Sequence, residues 1–310
     1  MKLHNYKSDF DELVTIVAHY KNIPESAIRR DYYIVFALQK LANSDYRDKC
    51  VFKGGTSLSK CCPGSIERFS EDIDLTFLGL ELSDNVCEKE IKTIENLMVE
   101  GFNSQKIPSE RSKRSKSIYI WNEDENERIK LEIGSNVIPN PYSKKDIKTY
   151  IQEYLESIED YETINYFELN NISLNVLNVE RTFIDKVLAV KRHAICGKLN
   201  VKVRHIYDVV RLFGLKEIQD FLLDKDELKR IIQLTKQTDS FYLDKRPGKI
   251  EYNPIDSYDF NSWKGCFNKD IETVYENLHN DLLYTNEKQV FSKALETFNA
   301  INDIFKEIGE

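Results

Sequence analysis

Apolar residues recur at three-to-four spacing in "FDELVTIVAHY" and "AIRRDYYIVFALQKLA", which predicts two helices between residues 8 and 43. A short strand is expected at 49–53, a helix at about 56–61 and a strand at 72–77. "NVCEKEIKTIENLMVEGF" has the pattern of an amphipathic helix. "KSIYIW" and "RIKLEIG" flank the polar turn "NEDENE" and read as a hairpin with a solvated turn. Residues 147–170 follow neither period clearly, and "ISLNVLNV" reads as a strand. From 179 onward the pattern is helical, over 179–196, 202–214, 216–223, 225–237, 268–282 and 287–307. An irregular, aromatic-rich connection, "DSFYLDKRPGKIEYNPIDSYDFNSW", interrupts the helices. No internal repeat and no low-complexity linker is present. The expected class is α+β, with a mixed α/β lobe over 1–178 and a helical lobe over 179–310. A cleft between lobes is a common place for a site.

Composition narrows the class. The 310 residues, 41% of them hydrophobic, suit one large domain or two medium ones with a real core. No apolar run approaches the roughly 20 residues that span a bilayer, and "MKLHNYKSDFDEL" has no apolar signal region. A soluble, cytoplasmic protein is the expectation. None of the six cysteines forms a CxxC pair or stands at zinc-ligand spacing, so reduced thiols are expected. The net charge of −8 argues against a general nucleic-acid coat. Locally the balance reverses. Between 181 and 211, Arg181, Lys186, Lys191, Arg192, Lys198, Lys202, Arg204 and Arg211 face only Asp185 and Asp208, and "KIPSERSKRSK" (106–116) is also basic. A basic surface on the helical half is expected from the first cluster.

The chemistry concentrates in "VFKGGTSLSKCCPGSIERFSEDIDLTF", residues 51–77. A strand that turns through Gly54 and Gly55 into a helix aims free N–H groups at an anion, and the helix dipole adds positive charge. Thr56, Ser57 and Ser59 can add hydroxyls, and Lys53 or Lys60 can add charge. The spacing is not that of a P-loop, and a bare glycine cap is also a common structural device. Asp72 and Asp74 lie two apart in a strand, so both side chains take one face, about 6.6 Å apart along the chain. Ile73, Leu75 and Phe77 take the other. Paired carboxylates repel unless a cation lies between them, and magnesium commonly bridges carboxylates and substrate phosphates. Glu132 alternates with Leu131 and Ile133, and is either a third metal ligand or an exposed strand residue. A salt bridge to Lys130 or Arg128 is not expected, because both are close in sequence.

Taken in order, "KGGTSLSK", "RFSEDIDL", "KLEIG", "ERTFIDKVLAVKRH" and "RHIYDVVRL" resemble the AbiEii/AbiGii nucleotidyltransferase toxin family, which includes MenT-like toxins of the DNA polymerase β-type superfamily. The resemblance covers roughly 45–215. It implies a polymerase β-like nucleotidyltransferase core, a mixed sheet with helices, followed by a helical C-terminal lobe. Gly54, Gly55, Thr56 and Ser57, with Lys60 closing the turn, match the nucleotide-binding motif. Asp72 and Asp74 match the metal pair, and Glu132 fits the third strand carboxylate less firmly. Lys186 and Asp208 match the lysine and the acid of the later catalytic motifs. Mg2+, a nucleoside triphosphate, a tRNA or other RNA acceptor and an AbiEi-type antitoxin are implied as cofactor, substrate and partners, with blocked translation the outcome.

The residues themselves leave alternatives open. Phe183, Val187, Val190 and Ala194 form one helical stripe with Lys186 at its border, from which a lysine reaches either a cleft or solvent. Asp208 falls on the polar face of its helix, four residues after Arg204, so an intrahelical ion pair would also explain it. Ser70, two residues before Asp72, would inactivate the site if phosphorylated. Transfer to a protein side chain, or a non-catalytic nucleotide-binding module held by an antitoxin, are the rival readings.

Overall fold

The computed structural model describes residues 1–243, 252–281, 283–285 and 287–310, and divides them into two compact units. The first comprises residues 1–61, 69–135 and 142–177; the second comprises 62–68, 136–141 and 178–310. Two short segments, 62–68 and 136–141, thus belong with the helical unit although they lie on the other side of position 178 in sequence.

The first unit is built on a seven-stranded sheet of order β3-β4-β5-β2-β1-β7-β6. Its strands are β1 (Cys50–Lys53), β2 (Asp72–Phe77), β3 (Asn103–Lys106), β4 (Ser115–Trp121), β5 (Ile129–Gly134), β6 (Tyr142–Ile147) and β7 (Ile172–Leu177). The β1–β7 and β2–β5 pairs are parallel and the others antiparallel. Helices α1 (Lys7–Lys21), α2 (Glu25–Ala42), α3 (Gly54–Cys61), α4 (Asp84–Val99), α5 (Tyr150–Ser157) and α6 (Tyr161–Tyr166) complete the unit. Period-two alternation sends Phe52, Ile73, Leu75, Leu131 and Ile133 into the core. There they join Tyr32 and Leu38 of α2 and Ile91 and Met98 of α4, all 2% exposed or less. Burying each such side chain contributes about 1.5–3 kcal/mol, and the opposite face of β2 and β5 carries Asp72, Asp74, Thr76, Lys130 and Glu132.

The helices of the second unit are α7 (Val179–Ile195), α8 (Val203–Phe213), α9 (Lys216–Leu223), α10 (Lys225–Leu243), α11 (Phe260–Trp263), α12 (Lys269–Asp281) and α13 (Phe291–Glu307). α8 packs against α7, α12 and α13. The aromatic-rich connection supplies part of this core: Phe260 lies 4.7 Å from Trp263 and 5.7 Å from Phe298, centroid to centroid. Of the "FYLDKRPGKIEY" stretch, residues 244–251 lie outside the described residues. No helix among the described residues is long and apolar enough to cross a membrane.

The basic cluster of residues 181–211 does not form the expected surface. Arg181, Lys186 and Lys191 are buried. Arg192 pairs with Asp239, and Arg211 with Glu67 and Glu287. These charges lie on amphipathic helices whose inward faces need cations to neutralise buried acids and carbonyls: Lys191 donates to the Asp256 and Ser257 carbonyls at 3.1 and 2.7 Å. In the 106–116 stretch, Arg111, Arg114 and Lys116 are likewise paired, with Glu95, Asp84 and Glu88.

Candidate active site

Gly54 opens α3 with φ +85°, in the left-handed region that side chains disfavour. A β-carbon at this position would lie 2.1 Å from Asp74 Oδ2. The Asp74 carboxylate therefore rests on the bare glycine backbone, an approach no other residue permits. Gly55, Thr56 and Ser57 follow in the first turn of α3, where backbone N–H groups have no partner within the helix.

The hydroxyls of this turn are used internally. Thr56 Oγ1 donates to the Asp72 carbonyl and lies 3.0 Å from Ser70 Oγ, which fastens α3 to the first residue of β2. Ser57 Oγ donates to the Gly54 carbonyl at 2.9 Å. Asp72 and Asp74 are half-buried on one face of β2, with Ile73 and Leu75 buried on the other.

Register extends the row. Glu132 of β5 stands beside Asp74, and Lys53 of β1 stands opposite it. Side chains across neighbouring strands share a face, so Glu132, Asp74 and Lys53 line up over three strands spaced about 4.8 Å apart. Contrary to the expectation from sequence, Glu132 does meet Lys130. Residues two apart in a strand share a face, and Lys130 Nζ lies 2.5 Å from Glu132 Oε1 and 2.7 Å from Glu110 Oε2. Partial burial lowers the Lys130 pKa, but the two carboxylates outweigh it and raise the ammonium above its ordinary range.

Contrary to the expectation from sequence, Lys60 does not close the glycine turn. Its ammonium is buried 2.6 Å from Asp31 Oδ1 and lies 4.1 Å from the Tyr150 ring centroid. At the far end of α3, six residues after Gly54, its side chain points to α2 and α5.

Asp72, Asp74 and Glu132 offer only carboxylate oxygens, the donor set of a hard divalent cation that completes its shell with phosphate oxygens and water. Among the described residues no three acidic, histidine or cysteine side chains are already gathered as ligands. Asp72 and Asp74 thus fit the two-carboxylate kind of magnesium site, and Glu132 would have to exchange Lys130 for the ion.

The second unit holds the other predicted residues. Phe183, Val187, Val190 and Ala194 form the buried stripe of α7, and Lys186 is itself 6% exposed. Asp208 is not on a polar face: it is fully buried, and its carboxylate takes Arg68 bidentately (Nε 2.6 Å, Nη2 2.7 Å) and Lys186 Nζ at 2.7 Å. Burial alone would raise the Asp208 pKa, but Arg68 and Lys186 reverse this and hold it well below the usual carboxylate range. The nearby His205 imidazole is pushed far down by burial, and then by the Lys186 charge. Arg68 was not singled out from sequence. Its only signal there is a cation just ahead of the two acids in "RFSEDID".

None of the curated proteins matches the sequence. In fold the chain is similar to MenT4, a nucleotidyltransferase toxin from Mycobacterium tuberculosis H37Rv, with a TM-score of 0.57 and 16% identity over 96% of this chain and 89% of that one. JHP933 from Helicobacter pylori aligns with a TM-score of 0.45 and 16% identity, over 92% of this chain and 94% of that one. The sequence profile described as "Nucleotidyl transferase AbiEii toxin, Type IV TA system" matches residues 37–296. That span includes the glycine turn, the acids of β2, Glu132, Lys186 and Asp208, and takes in most of the chain. The protein therefore belongs to the AbiEii family of nucleotidyl transferase toxins of type IV toxin–antitoxin systems.

Proposed function

We propose that this nucleotidyltransferase moves a nucleotide from a nucleoside triphosphate to an RNA hydroxyl, the 3′ end of tRNA being the acceptor, and so blocks translation. The observation that carries the reading is the packing of the Asp74 carboxylate on the Gly54 backbone, because it joins an acidic pair to the glycine turn that opens α3. Asp72 and Asp74, with Glu132, would hold Mg2+, which when bound supplies positive charge beside the α-phosphate. Gly54, Gly55, Thr56 and Ser57 present backbone N–H groups to the outer phosphates. The family's later motifs assign Lys186 to the reaction, to offset the negative charge that develops as pyrophosphate leaves.

Asp208 positions Lys186 and does not serve as the general base. A carboxylate held low by two cations is a poor proton acceptor at neutral pH. The acceptor hydroxyl's proton goes instead to the β2–β5 carboxylates or to water. An AbiEi-type antitoxin is the proposed counterpart of the toxin.

The test is incubation of purified protein with each labelled triphosphate and total tRNA, with and without EDTA, followed by sequencing of RNA 3′ ends. Metal-dependent extension of RNA supports the reading. Label that travels with protein would reassign the acceptor, and triphosphate binding without any transfer would leave a binding module.

A further inference from the structure

We propose that Lys53, not Lys60, is the lysine that binds the triphosphate at the glycine turn; the inference rests on the triphosphate site proposed above and adds the residue that supplies its charge. A triphosphate brings about four negative charges to a place already holding Asp72, Asp74 and Glu132. Mg2+ at the acids would offset part of this charge and backbone N–H groups carry only partial charge, so a side-chain cation on the same face would complete the balance.

Three lysines are close enough in sequence and register to be considered. Lys60 is committed to Asp31 in a buried pair on the side of α3 that faces α2 and α5. Lys130 lies between Glu110 and Glu132. Lys53 is left. It is the last residue of β1, directly before Gly54, half-buried, and opposite Asp74 in the antiparallel register. Residues opposite one another on antiparallel strands have Cβ atoms about 4.5–5.5 Å apart, which leaves the four-carbon stem to carry the ammonium past the carboxylate. Among the described residues Lys53 makes no ion pair within 4.0 Å, even with Asp74 beside it. Phe52 on its N-terminal side faces the core, so alternation fixes Lys53 on the acidic face. The turn hydroxyls cannot substitute for it, since Thr56 and Ser57 donate to backbone carbonyls.

Because the nucleobase is not specified, the probe is inorganic tripolyphosphate with magnesium, followed by calorimetry on the full chain. Losing one charge-assisted contact worth roughly 1.5–3 kcal/mol corresponds to about ten- to a hundredfold in affinity. Lys53→Met is expected to weaken tripolyphosphate binding by that factor, with an unchanged melting curve. Lys53→Arg is expected to stay within about threefold of wild type, because charge and reach are kept. Lys60→Met is expected to lower the melting temperature and leave binding by the folded protein unaltered. Wild-type affinity in Lys53→Met, or loss of affinity in Lys60→Met but not Lys53→Met, overturns the assignment, as does failure of the wild type to bind tripolyphosphate. If Lys53→Met binds normally while the wild type labels RNA, the lysine is wrong and nucleotidyl transfer stands. If Lys53 governs binding while the wild type labels no acceptor, the transfer reading is wrong and the lysine stands.

Discussion

At position 54 a methyl group is excluded twice, by a backbone angle of +85° and by a carboxylate oxygen that would lie 2.1 Å away. Gly54→Ala must move either the turn or Asp74. Displacements of about 1 Å at a reacting centre can cost on the order of a hundredfold in rate, so nucleotide incorporation should fall at least that far while circular dichroism stays native. Asp208 makes a different prediction. Asp208→Asn leaves two buried cations without their anion, a loss of about 3–5 kcal/mol at pH 7. The folded carboxyl is held below its unfolded value near 3.9, so the wild type's advantage is present above roughly pH 4 and fades as acid protonates the native pair. Melting of both proteins from pH 7 to pH 3 should show the gap closing only at the acid end.

At the scale of elements, what was legible followed periodicity. β2, the β4–β5 hairpin and the helices from α7 to α9 bury one regular face and appear where their patterns put them. β3 and β6 do not: "NSQK" is exposed throughout and "YSKKDI" buries only Ile147, because edge strands are held by backbone pairing and carry no core face. In the same way, sequence alone offered two lysines for the glycine turn. Only the tertiary fold brings Asp31 of α2 to Lys60, and only register places Lys53 by Asp74. The Lys60–Asp31 pair therefore ties α3 to α2. Lys60→Met should cost about 3–5 kcal/mol by stranding a buried carboxylate, and the double variant Lys60→Met/Asp31→Leu should recover part of that loss in denaturant titrations.

At the scale of the molecule, net charge was a better guide than the local cluster. The arginines and lysines of 181–211 looked like an RNA-facing surface, yet three are buried and two more pair with acids brought from elsewhere in the chain. No short-range pattern reveals partners such as Arg68, 140 residues before Asp208. Of the other three, Lys198 is exposed, and Lys202 and Arg204 are half-buried like Arg192 and Arg211. A cluster committed in this way leaves few charges for phosphates, so the loss of acceptor affinity between 50 and 200 mM salt should fall well short of the roughly thousandfold or more that six to ten contacts give. Filter binding of tRNA across that range should show the shallower slope.

The most direct measurement of the central claim compares wild type with Asp72→Ala, both shown to be folded by circular dichroism, for transfer of label from the four triphosphates to tRNA. The account predicts labelled RNA 3′ ends from the wild type and none from the variant. Equal labelling by Asp72→Ala would contradict it, because transfer would then proceed without one of the two acids that β2 carries on its polar face.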